Sequence, residues 1–192
     1  MATPVIECLE YGALSEADAR ELTDLQIATW PPANPADAPR QFQQSVAALL
    51  RPSAYRGPAP RRPRIYCLRE NGKIIAQSRI FPRAILTSRG PLTILALEAV
   101  CTAKSQQGRG LGLLVMKETF KPVDTGAFPC SLFQTAVPGF WEKVGARLIT
   151  NRIVNSLGAN PDACPFWDPH LMVYPAAYDW PEGTVDLQGP GY

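Results

Sequence analysis

The sequence predicts an α/β protein built on a mixed, mostly antiparallel central sheet flanked by helices. Three observations predict it. Residues 64–103 hold three apolar runs joined by two tight turns, Glu70-Asn71-Gly72-Lys73 and Thr87-Ser88-Arg89-Gly90, and Asn-Gly between apolar runs is the strongest short hairpin signal. Helical stripes lie on both sides of that meander, before Trp30 and after Gly110. Beyond Phe120 short strand-like and helix-like segments alternate, a pattern that layers helices onto a sheet.

Length and composition set the frame. The 192 residues are enough for one domain over 1–192, and its core stands without disulfide or metal staples. Apolar residues make up 46% and charged residues 19%, which excludes a disordered charged tail. A net charge of +2 argues against a general nucleic-acid or membrane-surface binder. No apolar run approaches the ~18–20 residues of a membrane helix, and Met1–Glu7 has no signal-peptide pattern. Cys8, Cys67, Cys101, Cys130 and Cys164 are odd in number and never CxxC, and His170 is the single histidine. The expectation is a cytoplasmic protein with no metal site and no disulfide framework.

Val5–Glu10 reads as a first strand. Ser15 caps a helix with Asp18 at N3, and Ala19, Leu22, Leu25 and Ile27 carry its stripe to Trp30, where Pro31-Pro32 ends it. A second helix runs from near Asp37 to Arg51, with Pro52 beyond. The segment 51–64 holds five arginines and four prolines. It is a solvated loop or, read more sharply, a phosphate-contacting flap. Arg64–Arg69, Lys73–Leu86 (broken or bent at Pro82) and Leu92–Thr102 are the meander, the last run apolar enough to be a central strand.

A helix opens at Gly108-Arg109-Gly110-Leu111-Gly112, with Leu113, Leu114, Met116 and Phe120 as apolar positions. Cys130–Ala136 is a buried strand, and Pro138–Val144 a helix with Gly145 at its stop. Ala146–Leu157 reads as one strand. A Pro- and aromatic-rich C-terminal extension follows over 158–192, with a last strand at His170–Tyr174.

The glycine turn reads as a phosphate cradle or as a plain tight turn. Glycines let a ligand approach bare backbone, and a new helix offers unpaired N–H groups and a positive dipole end. A P-loop is excluded because Leu113-Leu114 stands where Lys-Ser/Thr belongs. A dinucleotide-binding fingerprint fits badly after an antiparallel meander. Gln107-Gly108-Arg109-Gly110-Leu111-Gly112 matches Gln/Arg-x-x-Gly-x-Gly/Ala at every defined position.

That motif resembles the pyrophosphate loop of the GNAT N-acetyltransferases. Pro138-Gly139-Phe140-Trp141-Glu142-Lys143-Val144-Gly145-Ala146 resembles the family's Phe-Tyr-Glu-Lys-x-Gly-Phe helix. The resemblance covers roughly residues 64–157. It implies a sheet splayed at an acyl-CoA site between the strand ending at Thr102 and the strand Cys130–Ala136. The pantetheine arm would pair with Val100, Cys101 and Thr102, and the pyrophosphate would sit on Gln107, Gly108, Arg109, Gly110, Leu111 and Gly112. Acetyl-CoA is the implied co-substrate and a primary amine the acceptor, with direct transfer and no covalent enzyme intermediate.

Glu98 is the implied base, acting through water. A lone carboxylate in Leu95-Ala96-Leu97-Glu98-Ala99-Val100 also reads as a residue on the solvated face or paired with an Arg such as Arg79. Trp141 stands where the family often has its acidic Tyr, so Tyr66, Tyr174, Tyr178, Tyr192 or water must protonate the thiolate. The missing Tyr keeps open an acyl-CoA-binding module without efficient turnover. In the extension, Asp168, Asp179 and Glu182 interleave with Trp167, Tyr178 and Trp180. It reads as a clamp over the fold or as an acceptor-pocket wall, in the same chain or across a homodimer.

Overall fold

The computed structural model describes residues 5–192, and they form two compact units. The first comprises residues up to 58, 62–80 and 99–120; the second comprises 59–61, 81–98 and 121–192. Strands β3 (Lys73–Thr87) and β4 (Gly90–Thr102) run through both.

In the first unit β1 (Val5–Glu10) and β2 (Arg64–Glu70) extend the order to β1-β2-β3-β4, with β1–β2 and β2–β3 antiparallel. Asn71 and Gly72 both take positive φ, the geometry a two-residue hairpin requires. Helix α1 (Glu16–Thr29) starts where the Ser15 side chain accepts the Asp18 amide and donates to the Asp18 carboxylate. Helix α2 (Ala38–Leu50) packs beside it. The core joins Ala19, Leu22 and Leu25 of α1 to Val46 and Leu49 of α2 and to Ile65, Cys67 and Ile74 of the sheet. Helix α3 (Leu111–Thr119) buries Leu111, Val115, Met116 and Thr119, and a buried hydroxyl pair of 2.6 Å ties Thr119 to Ser78 of β3. Leu113 and Leu114, named among the helix's apolar positions, are exposed, because the buried stripe starts at Leu111.

In the second unit the order is β3-β4-β5-β8-β6, with β5 at Ser131–Thr135, β6 at Arg147–Ile149 and β8 at His170–Tyr174. Only β4–β5 is parallel within that path, so the sheet is mixed and mostly antiparallel, as expected. Helix α5 (Pro138–Val144) stops at Gly145, whose positive φ closes the last turn. A one-turn helix α4 (Lys121–Asp124) precedes β5.

The strand expected over Ala146–Leu157 is two short strands. β6 ends at Ile149, and β7 (Ile153–Val154) pairs instead with β9 (Val185–Asp186). Asn151 causes the break: its side-chain N–H groups bond the Pro181 and Gly183 carbonyls, and its oxygen accepts the Trp180 indole N–H. Pro82 does not interrupt β3: on the edge away from β4, β2 pairing ends at Ile80 and β9 pairing begins at Leu86, so Pro82 lies in an unpaired stretch of that edge.

Candidate acyl-CoA site

Strand β4 carries two irregularities. Its parallel ladder with β5 has two rungs, Leu95–Ser131 and Ala96–Leu132, while the strand itself continues to Thr102. Then Ala99 takes φ +51°, a left-handed conformation rare for a residue with a Cβ. The register explains it. The turn places Gly90 beside Thr87, and the Ala103 amide bonds the Ile75 carbonyl at 2.8 Å, so β4 holds one residue more than β3 between these points. That is a β-bulge, which re-aims backbone groups locally.

The turn after β4 is built to leave amides unused. Gly108 (φ +78°) and Gly110 (φ +76°) are left-handed, and a Cβ added to either would meet no atom within 4 Å. Gly110 is the N-cap of α3, and no side chain caps the helix. The first amides of α3, capped by no side chain, lie at a positive dipole end, a setting suited to an anion. The Gln107 side chain folds back and donates to the Thr102 carbonyl at 3.2 Å, fixing the turn to the end of β4. Arg109 is engaged by Glu70 at 2.8 Å and by Gln106, and this pairing holds the Glu70 carboxyl below its usual range.

The strand residues divide by burial. Val100 and Thr102 are half-buried, whereas Cys101 is buried and burial pushes its thiol up to about 11. Burial likewise pushes Cys67 and Cys130 up to about 12, so none of the three is a ready nucleophile. Glu98 is half-buried in the second unit, where its charge bears on the Tyr192 phenol. Among the described residues, no group of three or more His, Cys, Asp or Glu side chains converges that could hold a metal ion, and no helix is long and apolar enough to cross a membrane.

The four tyrosines named as acids share one property. Burial pushes the phenols of Tyr66, Tyr174, Tyr178 and Tyr192 up, Tyr174 to about 12. The Tyr174 hydroxyl donates to Asp124 at 2.6 Å, and that of Tyr192 to the Leu132 carbonyl at 3.0 Å. Trp141 is buried, donates to the Thr135 hydroxyl at 2.8 Å and packs tilted against the Phe133 ring, so it is a core residue. His170 pairs with Thr135 in the β5–β8 ladder.

The extension belongs to the core of the second unit. β8 is an interior strand, and Trp180, Val185 and Leu187 are buried with Ile85, Ile94 and Leu132. Arg83 holds the Leu187 and Pro190 carbonyls, and Gln134 binds the Tyr192 carbonyl and the Trp167 and Asp168 amides. Trp180–Thr184 also line one wall of a groove of about 620 Å³ against Arg147–Arg152. Of the interleaved acids, Asp179 is engaged by Arg89 at 2.7 Å. In the arginine-rich segment, Arg61 donates to the Ala127 carbonyl and lies over the Phe128 ring.

Sequence reasoning missed Ala99, which nothing in its neighbours marks, and the Glu70 partner of Arg109, which lies 39 residues away in the chain. It also missed the polar layer beneath α1 formed by Gln26, Gln77 and Arg79, since β-strand alternation alone does not say which polar side chains are buried.

No family model matches the sequence, and no curated protein matches it. Solved structures do. A GNAT-family N-acetyltransferase (YhbS) from Escherichia coli in complex with CoA superposes with a TM-score of 0.59 at 12% identity, over 96% of this chain and 89% of that one. An acyl-CoA N-acyltransferase from Pseudomonas aeruginosa gives 0.55 at 13%, over 89% and 99%. A GCN5-related N-acetyltransferase from Kribbella flavida gives 0.55 at 13%, with 76% of this chain covering about a third (34%) of that chain. The chain has the GNAT fold.

Proposed function

We propose that the protein is an acyltransferase that moves an acetyl group from acetyl-CoA directly to a primary amine of a small molecule or peptide, with both units serving one domain. The observation that carries this reading is the uncapped N-terminus of α3 set directly after a bulged strand whose parallel ladder has stopped. Such a helix end suits a pyrophosphate, and an unpaired strand edge suits the amides of a pantetheine arm.

Acetyl-CoA bound there supplies a thioester whose carbonyl carbon takes the amine nitrogen as the C–S bond breaks, its electron pair leaving on sulfur. The amides of Gln107, Gly108, Arg109, Gly110, Leu111 and Gly112 hold the pyrophosphate, with Arg109 exchanging Glu70 for phosphate. Val100, Cys101 and Thr102 offer backbone groups to the arm. The left-handed turn at Ala99 re-aims the next amide, which meets the developing oxyanion. Glu98 takes the proton lost by the amine, directly or through a water.

One observation favours a second reading, an acyl-CoA-binding module without efficient turnover: every tyrosine considered as the acid is a weakened one. In the enzyme reading, solvent protonates the thiolate. Calorimetry with acetyl-CoA, CoA and dephospho-CoA tests the shared premise. Binding is expected, and loss of binding in Gly110→Asp with the fold intact. Equal binding by both proteins overturns the assignment. Amine-dependent thiol release then separates enzyme from module.

A further inference from the structure

A buried polar layer lies between α1 and the sheet of the first unit, and two of its atoms of opposite polarity have no partner. Arg79 of β3 is 6% exposed; its Nε donates to the Gln77 side chain at 3.2 Å, and its Nη2 meets no acceptor. The Oε1 of Gln26 on α1 is buried and meets no donor.

Two contacts and the spacing of α1 place these groups in one layer. The Gln77 amide donates to the Leu22 carbonyl at 2.6 Å. Cys101 of β4 lies close enough to Thr29, Gln77 and Arg79 for each to act on its thiol. Gln26 stands on α1 between Leu22 and Thr29, one turn from each, on the side that both turn to the sheet. Counted from the Ala103–Ile75 bond, Cys101 falls opposite Gln77 and Ala99 opposite Arg79. Opposed residues of an antiparallel pair lie about 5 Å apart. The orphaned guanidinium nitrogen therefore belongs to the strand beside the bulge. Ile27, Thr29, Ala99 and Val100 around it are half-buried, so the layer reaches toward the surface there.

A guanidinium out of water calls for an anion, and a buried amide oxygen calls for a donor. One small ligand satisfies both if it carries its anion close to its N–H group. We propose that Arg79 and Gln26 are the acceptor-binding groups of this protein, and that the acceptor is an α-amino acid or a close analogue. Its carboxylate sits on Arg79 and its amine N–H on Gln26. This rests on the acyltransferase reading, in which the amine must reach the acyl carbon beside Ala99. An α-amino acid bears its carboxylate on the carbon that carries the nitrogen, so the one-strand step from Ala99 to Arg79 fits its length. A bare amine leaves the guanidinium unpaired, and a site built around a polar partner rejects analogues that lack it.

The test uses matched pairs in which each amino acid is set against its decarboxylated amine: alanine and ethylamine, phenylalanine and phenethylamine, lysine and cadaverine. In acetyl-CoA-dependent thiol release, amino acids are expected to exceed their amines by about 10²-fold in kcat/KM. Arg79→Met should erase that preference through KM and leave acetyl-CoA affinity within about twofold; Gln26→Leu should weaken amino acids and amines alike. Separately, the Arg79 Nε–H resonance of the wild-type protein is followed while amino acids or the amines are added without acetyl-CoA. A shift with amino acids alone is expected. If acetyl-CoA fails to bind, the acyltransferase reading falls, and the resonance still reports on the anion site. If amines are turned over as well as amino acids, or Arg79 ignores every amino acid, the inference is overturned even with the acyltransferase reading intact. The resonance and the wild-type preference need no variant, so a poorly folding Arg79→Met leaves the test complete.

Discussion

Arg69 of β2 donates to Asp18 of α1 at 2.8 Å, and the same guanidinium reaches Glu7 of β1 at 3.0 Å. One cation thus ties the first helix to two strands. Burial alone would raise the Asp18 carboxyl, but bonds from Ser15 and Arg69 outweigh it and leave it below its usual value. A carboxyl depressed in the folded state stabilises the fold above its unfolded value of ~3.9, and that contribution disappears as pH falls through the folded value. Asp18→Asn should therefore lower stability by roughly 1 kcal/mol at pH 7. The gap to wild type should close as pH falls through that lowered value. Urea midpoints across that range check it, and a gap independent of pH would mean that the charge is not its source.

Gly110 separates backbone strain from ligand binding. Its φ of +76° disfavours any residue with a Cβ, yet a Cβ there meets no neighbour. Gly110→Ala should cost about 1–2 kcal/mol from conformation alone. Gly110→Asn should cost less, since Asn tolerates the left-handed region. Thermal melts of both variants, with calorimetric titration by CoA, read the two effects independently.

Thr135 is the partner that makes Trp141 a core residue. Its hydroxyl accepts both the indole N–H at 2.8 Å and the Val137 amide at 3.0 Å. Thr135→Val keeps the shape but strands both donors, so a loss of about 1–3 kcal/mol is expected, with Thr135→Ser recovering most of it. Equal urea midpoints for all three proteins would show that the indole finds another acceptor.

The meander, the glycine turn and the α5 stop were legible because each rests on local chemistry: Asn71-Gly72, Gly108–Gly112 and Gly145 announce their own backbone angles. The bulge at Ala99 was not, because a register offset belongs to a strand pair and leaves no mark in one strand's sequence. The break in the expected 146–157 strand comes from Asn151 bonding carbonyls some thirty residues later. The extension could be read as clamp or pocket wall because Trp and Tyr suit both; burial of Trp180, Val185 and Leu187 places it in the core, while Trp167 stays 72% exposed.

That burial makes a quantitative claim about the tail. Leu187 and Val185 are fully buried, so Leu187→Ala should cost about 2–5 kcal/mol. Asp179→Asn, at an exposed pair with Arg89, should leave the melting temperature unchanged. Deleting residues 176–192 should abolish the cooperative unfolding of the second unit rather than merely raise an acceptor KM. A truncated protein that melts like wild type would make the tail dispensable.

Glu98 tests the chemistry itself. It is the carboxylate on β4 immediately before the left-handed Ala99, next in sequence to the backbone device proposed to meet the oxyanion. An ammonium acceptor is not a nucleophile until it loses a proton, and positioned bases contribute ~10²–10⁴ in rate. Glu98→Gln keeps the side chain's size and one hydrogen-bonding oxygen while removing the base. kcat is expected to fall by ~10²–10⁴, with acetyl-CoA affinity within about twofold, because the proposed pyrophosphate amides lie beyond Thr102. The loss should shrink as pH rises and the amine deprotonates in solution, which separates a base from a residue that merely shapes the site. A variant within a factor of about two of wild type from pH 6 to 9 removes Glu98 from the mechanism and leaves solvent as the proton acceptor.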